Sequence, residues 1–589
     1  MKKTGKAGKR GGYAMIIAVV FFLFFSSLIA FSITAPVVAR IKIANDFLLT
    51  RQSLFLSEAG VEDMTYRIAN GKTYANSETL ALGGSTTTIS VSSVSGGVQV
   101  ASSGNVASRI QNMQATLASG GGVGFNYGIQ TGNGGFVLNG GSTINGNIYS
   151  NASINAVSAT INGTAVAADS PALLADQTND SPATPPSSAN FRNAAATQDF
   201  AQSFQVSSKS PLNYAQFYIK KTGSPANATV IIAPDNGGSP ANQTLSSVTL
   251  AASAISTSFG WVQVSFPTST PLTLIPGATY WLVIQNGSTS GSSYYTIGTN
   301  TTYANGAGMT GKYGGSWTAL GADGYFRLYT GGIHSYIGGA SYDGGLTIGT
   351  GGVGDAWAYD VEGTKIDGNL YCIIGSHNTS KTCDTSRGIP PSVSMPFTDA
   401  NLQSWKDAAV AGGTLGSTTV GSSNATLGPA KINGNLLVNG GGTLTLNGPL
   451  WVTGTVTITN GGKVQLPSNY GKNSETIIAD GIITISGGGS LGSGAAGSFL
   501  FVVSTSRCPN DINCGGSSAI NVTGGAGAIA ATAQSGNVAL SGGAVIDAIV
   551  GNSVSAVGGT TVNYNSGLAS PSFKSGPSGG YSINSWAQN

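Results

Sequence analysis

Charge is what this 589-residue chain has least of: Asp, Glu, Lys and Arg make up 8% of it, against about 25% in ordinary soluble proteins. The formal net charge of +3 is uneven. Residues 1–60 hold eight basic and two acidic side chains, leaving 18 basic against 21 acidic beyond them. A mildly acidic remainder has no basic field for a phosphate backbone, so nucleic acid is not an expected partner. Histidine occurs twice, at His334 and His377, and neither sits in a GxSxG, HExxH or similar nucleophile or metal pattern. Both read as loop or surface histidines. No cofactor or metal is expected. Cysteine is scarce too: Cys372 and Cys383 form one close pair, Cys508 and Cys514 another. In an exported chain such pairs read as disulfide staples on short loops, and the absence of CxxC spacing argues against zinc.

Glycine is abundant instead, 88 of 589 residues, with Ser, Thr and Asn filling much of the rest. That composition suits short strands joined by tight turns, since Gly and Asn accept positive φ. Three stretches are variants of one unit: TINGNIYS at 143–150, KIDGNLYC at 365–372 and KINGNLLV at 431–438. Recurrence of a strand–turn unit predicts coils that each bury an apolar face on the next. Many short runs from Thr443 to Tyr564 agree, as in Leu444/Leu446 and Val456/Ile458. A parallel β-helix is the expected architecture for 123–169 and 332–589, with an irregular β-roll or stacked sandwich the alternative. Residues 170–196 are rich in Pro and Ser and read as a linker. Longer alternating strands over 197–331 predict a jelly-roll β-sandwich inserted with its ends close together. A helix is expected near 394–413, capped by Thr398 or Asp399, with Leu402, Trp405 and Ala409 on one face.

The chain opens with a basic leader, residues 1–12, followed by an uncharged run from Tyr13 to Ala39. As a helix that run reaches about 40 Å, more than the roughly 30 Å hydrocarbon core. The preceding lysines predict a cytoplasmic leader and an outward-facing remainder. Over 40–72, Phe47, Leu54, Val61 and Ile68 recur at heptad spacing beside Leu48, Phe55 and Met64, predicting an amphipathic extension. Alternation at Thr88–Ser92 and Val98–Ala101 predicts strands leaning on that helix within 73–122. The leader, the RGG before the apolar run and the segment FLSEAGVEDMTYRI together resemble the N-terminus of type IV pilin-like proteins, especially PilX-like minor pilins. The resemblance covers roughly the first 70 residues. It implies prepilin cleavage after Gly12, leaving Tyr13 as the first mature residue, and packing of the helix with other pilin-like subunits. Major pilins carry a glutamate at the fifth mature position, where this chain has Ile17. That departure disfavours a bulk filament subunit. A plain signal anchor is the alternative. The closing segment GLASPSFKSGPSGGYSINSWAQN also resembles the end of PilX-like solenoid proteins, and its aromatic tail is expected to cap the last coil.

The expected protein is therefore mainly β, membrane-anchored, and carried outside the cell or on a pilus. Its expected role is structural and adhesive, as a minor or tip component of a filament. A permanently anchored adhesin is the nearer alternative, and a surface β-helix lyase or glycosidase the more distant one. Asp355, Asp360, Glu362 and Asp367 form the best acidic cluster for catalysis, but Asp beside Gly is ordinary turn chemistry. No catalytic residue is assigned, and no enzymatic activity is expected. For binding carbohydrate, Trp261, Trp281, Tyr313 and Trp317 are the candidate stacking residues, with core packing as the competing use of the same rings.

Overall fold

In the computed structural model, residues 11–69, 74–94, 97–119, 123–268, 271–285, 287–338, 345–362, 364–374, 381–524, 527–575 and 581–588 are described. The chain is mainly β with one long N-terminal apolar helix, and it divides into two compact units. The smaller comprises residues 1–120 and 581–589, and the larger residues 121–580.

The smaller unit is built on helix α1, Gly11–Ala69, which continues through Pro36. Its C-terminal third packs on an antiparallel sheet of β1 (Ser77–Leu82), β2 (Ser85–Val94), β3 (Gly97–Val106) and β4 (Arg109–Ser119). The predicted heptad stripe is only half right. Val61, Met64 and Ile68 are buried against Ile89, Val100, Met113 and Leu117, but Phe47, Leu48 and Phe55 are exposed. Upstream of Val61, Leu54 packs half-buried on the same core and Leu56 is buried, and the closest contacts to the sheet are made by small residues. Ser53 and Ser57 are fully buried, and Ser53 Oγ donates to Gly104 O (2.7 Å). A Cβ at Gly104 would stand 2.3 Å from Ser53 O, so glycine is what permits the close crossing.

The fifth strand of this sheet comes from the far end of the chain. Tyr581–Gln588 pairs antiparallel with β4, from Ser119↔Tyr581 to Met113↔Gln588. The tail expected to cap the last coil thus belongs to the small unit's sheet. An open edge on β4 is satisfied by a strand of alternating polar and apolar residues, a closer match than the end of a parallel stack. In sequence terms, the whole larger unit is inserted between two hydrogen-bonded neighbours.

The larger unit contains a large parallel sheet whose strands lie in three ladders, with the register shifting where a long strand turns from one ladder to the next. One inward column of the first ladder runs Ala430, Leu450, Ile477, Val502, Ala531, Ile549, Ile129, Ile148, Ala165, Ala356, Leu370. Every member is buried in one core. Another ladder runs Leu436, Val456, Ile483, Ile520, Val538, Val554, Phe136, Ile154, Ile337, Val361. Spatial order departs from chain order at the step from Ile549 to Ile129: residues 414–563 stack directly onto residues 129–167. The two expected segments form one continuous array.

The chain reaches the far end at Leu370–Tyr371 and returns outside the first ladder. Along the return, Trp357 Nε1 donates to Gly388 O, Tyr149 Oη to Pro391 O, Asn151 Nδ2 to Val393 O and Gln130 Nε2 to Ser394 O. Gln534 both donates to and accepts from the backbone of Phe397. Helix α2, Asp399–Ala411, follows, capped by Thr398 in a reciprocal box with Asn401. Phe397 and Trp405 join Phe125, Leu568 and Phe573 over the outer side of the first ladder, burying Ile478, Phe501, Val503, Ala548 and Val550. Burial on both faces explains why these strands read as unbroken apolar runs, while the strand Thr443–Leu446 alternates.

The repeated unit does not mark equal positions. At 143–150 and 365–372 it turns into the first ladder, through Ile148 and Leu370. At 431–438 it turns out of it, from Ile432 to Leu436. What recurs is the chemistry of a corner rather than a coil phase.

Residues 174–330 hold two antiparallel sheets sharing one core that includes Phe200, Phe217, Ile219, Val230, Leu282 and Ile297. The stretch expected as a linker supplies two of their strands. Leu174–Asn179 pairs with Phe326–Thr330, and Ser187–Phe191 pairs with Tyr294–Asn300. Both are outer strands of their sheet, where one free edge tolerates polar sequence. The ends meet: Gly332 N donates to Pro171 O (2.7 Å) and Ile333 N to Ser170 Oγ (2.7 Å). The insertion interrupts the passage from one ladder to the next, between Ala167 and Tyr336.

Candidate functional site

The feature that stands out on the smaller unit is the upstream part of α1. From Tyr13, 80% exposed, to Leu48, its large apolar side chains are exposed, among them Phe21, Phe22, Phe24, Phe25, Phe31, Ile41 and Ile43. The helix is long and apolar enough to cross a membrane. Three of its hydroxyls are satisfied within the helix: Ser27 Oγ donates to Leu23 O, Ser32 Oγ to Ile29 O and Thr34 Oγ1 to Ala30 O. Such back-bonding shields these hydroxyls from an apolar surrounding. Gly12 and Tyr13, the residues flanking the expected cleavage, lie in the first turn of this helix. Residues 1–10 of the leader lie outside the described residues.

Both expected disulfides are formed, Cys372–Cys383 and Cys508–Cys514. The first lies at the far end of the ladders, where Tyr371 bridges to Asp384. The second closes the loop that follows Leu500–Ser504.

The four candidate aromatics do not share one surface. Trp281 is 2% exposed and donates from Nε1 to Asp235 Oδ1 (2.8 Å). Tyr313 and Trp317 pack beside it with Met309 and Val283. Those rings are packing, which removes Trp281 as a stacking platform. Trp261 lies on the other sheet, partly exposed, with the Arg327 guanidinium 4.1 Å from its ring. Arg327 is held in turn by Asp180 (3.1 Å). Around Trp261 the structure gathers aromatics that sequence reasoning did not single out: Tyr218 at 5.4 Å, Phe259 stacked on Tyr218, and a nearby stacked pair, Tyr214 and Tyr329. The signal was present in the alternation Tyr214, Gln216, Tyr218, Lys220, whose intervening Ala215, Phe217 and Ile219 are buried.

The acidic cluster is divided. Asp355 Oδ1 accepts from Asn369 N (2.7 Å), and Asp367 Oδ2 accepts from Gly352 N (3.1 Å), both as turn-closing groups. Asp360 and Glu362 belong to a different ladder. Among the described residues no three His, Cys, Asp or Glu side chains are grouped to hold a metal ion. His334 Nδ1 lies 2.6 Å from Asp169 Oδ2 and its ring stacks on Tyr359 at 3.8 Å, at the neck of the insertion. His377 lies outside the described residues.

No protein-family model matches the chain, and no curated protein matches it. Among solved structures, a similarity is found to the competence-associated pilin ComZ from Thermus thermophilus, at 10% identity and TM-score 0.22, covering 92% of this chain and 97% of that one. An overlap that slight carries no information about fold or function.

Proposed function

We propose that this chain is a pilin-like surface protein, a minor or tip component of a filament with a structural and adhesive role. Its apolar helix anchors it in a membrane before assembly and packs with the helices of other subunits afterwards. The three parallel ladders act as a β-solenoid stalk, and the two-sheet insertion as a jelly-roll module whose partly exposed aromatics around Trp261 contact glycans. The observation that carries this reading is the continuity of α1, one half exposed and apolar, the other seated on a sheet. A helix that must move from lipid to a protein core needs apolar side chains all round.

Mass spectrometry of protein taken from cells tests it. A mature chain that begins at Tyr13 is expected, consistent with the motif around Gly12. A chain that retains the lysine-rich leader would overturn the filament and leave a permanent anchor. We read the protein as non-catalytic. Asp360→Ala combined with Glu362→Ala is accordingly expected to alter no glycan turnover, and turnover abolished by the pair would refute that part.

A further inference from the structure

We propose a second binding site, for a small uncharged saccharide, in the cleft where the two-sheet insertion meets the parallel ladders. It rests on the adhesive reading only in placing the protein where it would meet glycans. The cleft holds about 280 Å³, and one wall comes from Leu245 and Thr273 of the insertion. The opposite wall comes from Asn510, in the Cys508–Cys514 loop, and from Asn552 and Ser553 of the ladders. No lining side chain is charged.

Three observations point to the ligand class. First, the lining combines carboxamides and hydroxyls, which both donate and accept, with leucine, proline and valine surfaces. A sugar ring presents the same mixture, hydroxyls at its rim and C–H groups on its faces, whereas a phosphate or carboxylate would find no cation. Second, two side chains of the lining, both more than nine-tenths buried, have a polar atom without a hydrogen-bond partner among the described residues: Asn552 Oδ1 and Thr273 Oγ1. Leaving such a group unpaired costs about 1–3 kcal/mol, and a turn of either side chain toward the cleft would let a ligand hydroxyl supply what it lacks. Glycines make the room around Asn552. A Cβ at Gly132 would stand 3.0 Å from Oδ1, and one at Gly134 would stand 3.1 Å from Nδ2. Third, the walls are fixed to one another. Gln243 Nε2 donates to Pro509 O (2.9 Å), Lys209 Nζ to Gln534 O (2.8 Å) and Asn133 Nδ2 to Lys209 O (2.6 Å). A cleft held open in this way needs no ordering when a ligand enters. The volume lies at the small end of ligand pockets and suits a single ring rather than a chain.

The test uses the full chain in nanodiscs, free of sugar-headed detergent, and saturation-transfer NMR with glucose, galactose, N-acetylglucosamine and glucuronate. At least one neutral sugar is expected to bind and glucuronate is not. Asn510→Trp, which fills the cleft from a loop position, is expected to weaken binding at least tenfold. Thr273→Val, which keeps the shape and removes the hydroxyl, is expected to weaken it several-fold. Both cleft variants are read in the Trp261→Ala background, which removes the aromatic face, so that the remaining binding reports the cleft. Absence of binding by every sugar, equal binding of glucuronate, or binding that survives Asn510→Trp would each overturn the site. Binding lost in Trp261→Ala alone would overturn the cleft while supporting the aromatic face, so the two readings fail separately.

Discussion

Glu475 is the side chain most at odds with its surroundings. It is fully buried in the strand Asn473–Ala479, with its Oε1 accepting from Thr476 N and its Oε2 from Tyr470 Oη. Burial raises its pKa to about 8, against the hydrogen bonds and the nearby Lys574, which lower it. The sign of the pH effect follows. Between the unfolded value of 4.5 and about 8, the unfolded chain releases this proton and the folded chain holds it. Stability therefore declines as pH rises through that window, by at most about 1.4 kcal/mol per pH unit, and levels off above it. Glu475→Gln has no proton to lose. Thermal unfolding at pH 5, 6.5 and 8 should show the variant gaining on the wild type as pH rises, and parallel pH profiles would refute the assignment.

Among the elements, α1 has two halves with different chemistry, and the sheet contact depends on closeness as much as on apolar area. Gly104 faces backbone atoms of the helix, Ser53 O and Ser57 N. Backbone cannot rotate away as a side chain can, so Gly104→Ala must lift the helix from the sheet. A cost of about 1–3 kcal/mol is expected from overpacking. Hydrogen exchange should quicken in residues 53–68 and stay unchanged in residues 129–167, and unaltered exchange in the helix would show that the crossing is not tight. The same rule of small residues explains why the heptad reading placed Phe47 and Phe55 wrongly. Apolar periodicity marks candidates for burial, but the helix approached its sheet along a serine–glycine stripe that hydropathy does not register.

For the whole molecule, the decisive feature is insertion within insertion. The larger unit interrupts an antiparallel strand pair of the smaller one, and the two-sheet module interrupts the parallel ladders of the larger. Each inserted piece has its own core. Joining Pro171 to Gly332, already hydrogen-bonded neighbours, should remove the two-sheet module and leave the ladders folded. A cooperative far-UV circular dichroism melt with retained β signal is the expected result. Collapse to an unfolded chain would mean that docking through Lys209 and Gln243 is required for the ladders themselves.

Much of this protein is determined by local sequence. Short range decides where strands start and stop, because Gly and Asn set the turns and alternation sets the buried side. The long helix, the Thr398 cap, the two disulfide pairs and the closeness of the insertion's ends were legible for the same reason: each depends on residues near one another or on length alone. Tertiary structure decided the rest. Residues 129–167 stack on residues 545–563, and residues 581–588 complete a sheet begun at residue 77. Nothing local distinguishes one partner from another when every strand of a ladder presents a similar small or aliphatic side chain inward. Whether Trp281 is packing or platform turned likewise on Tyr313 and Trp317 folding beside it on the same sheet face. Edge strands such as Leu174–Asn179 were illegible for the complementary reason, since a strand with one free side needs little apolar pattern to hold its place.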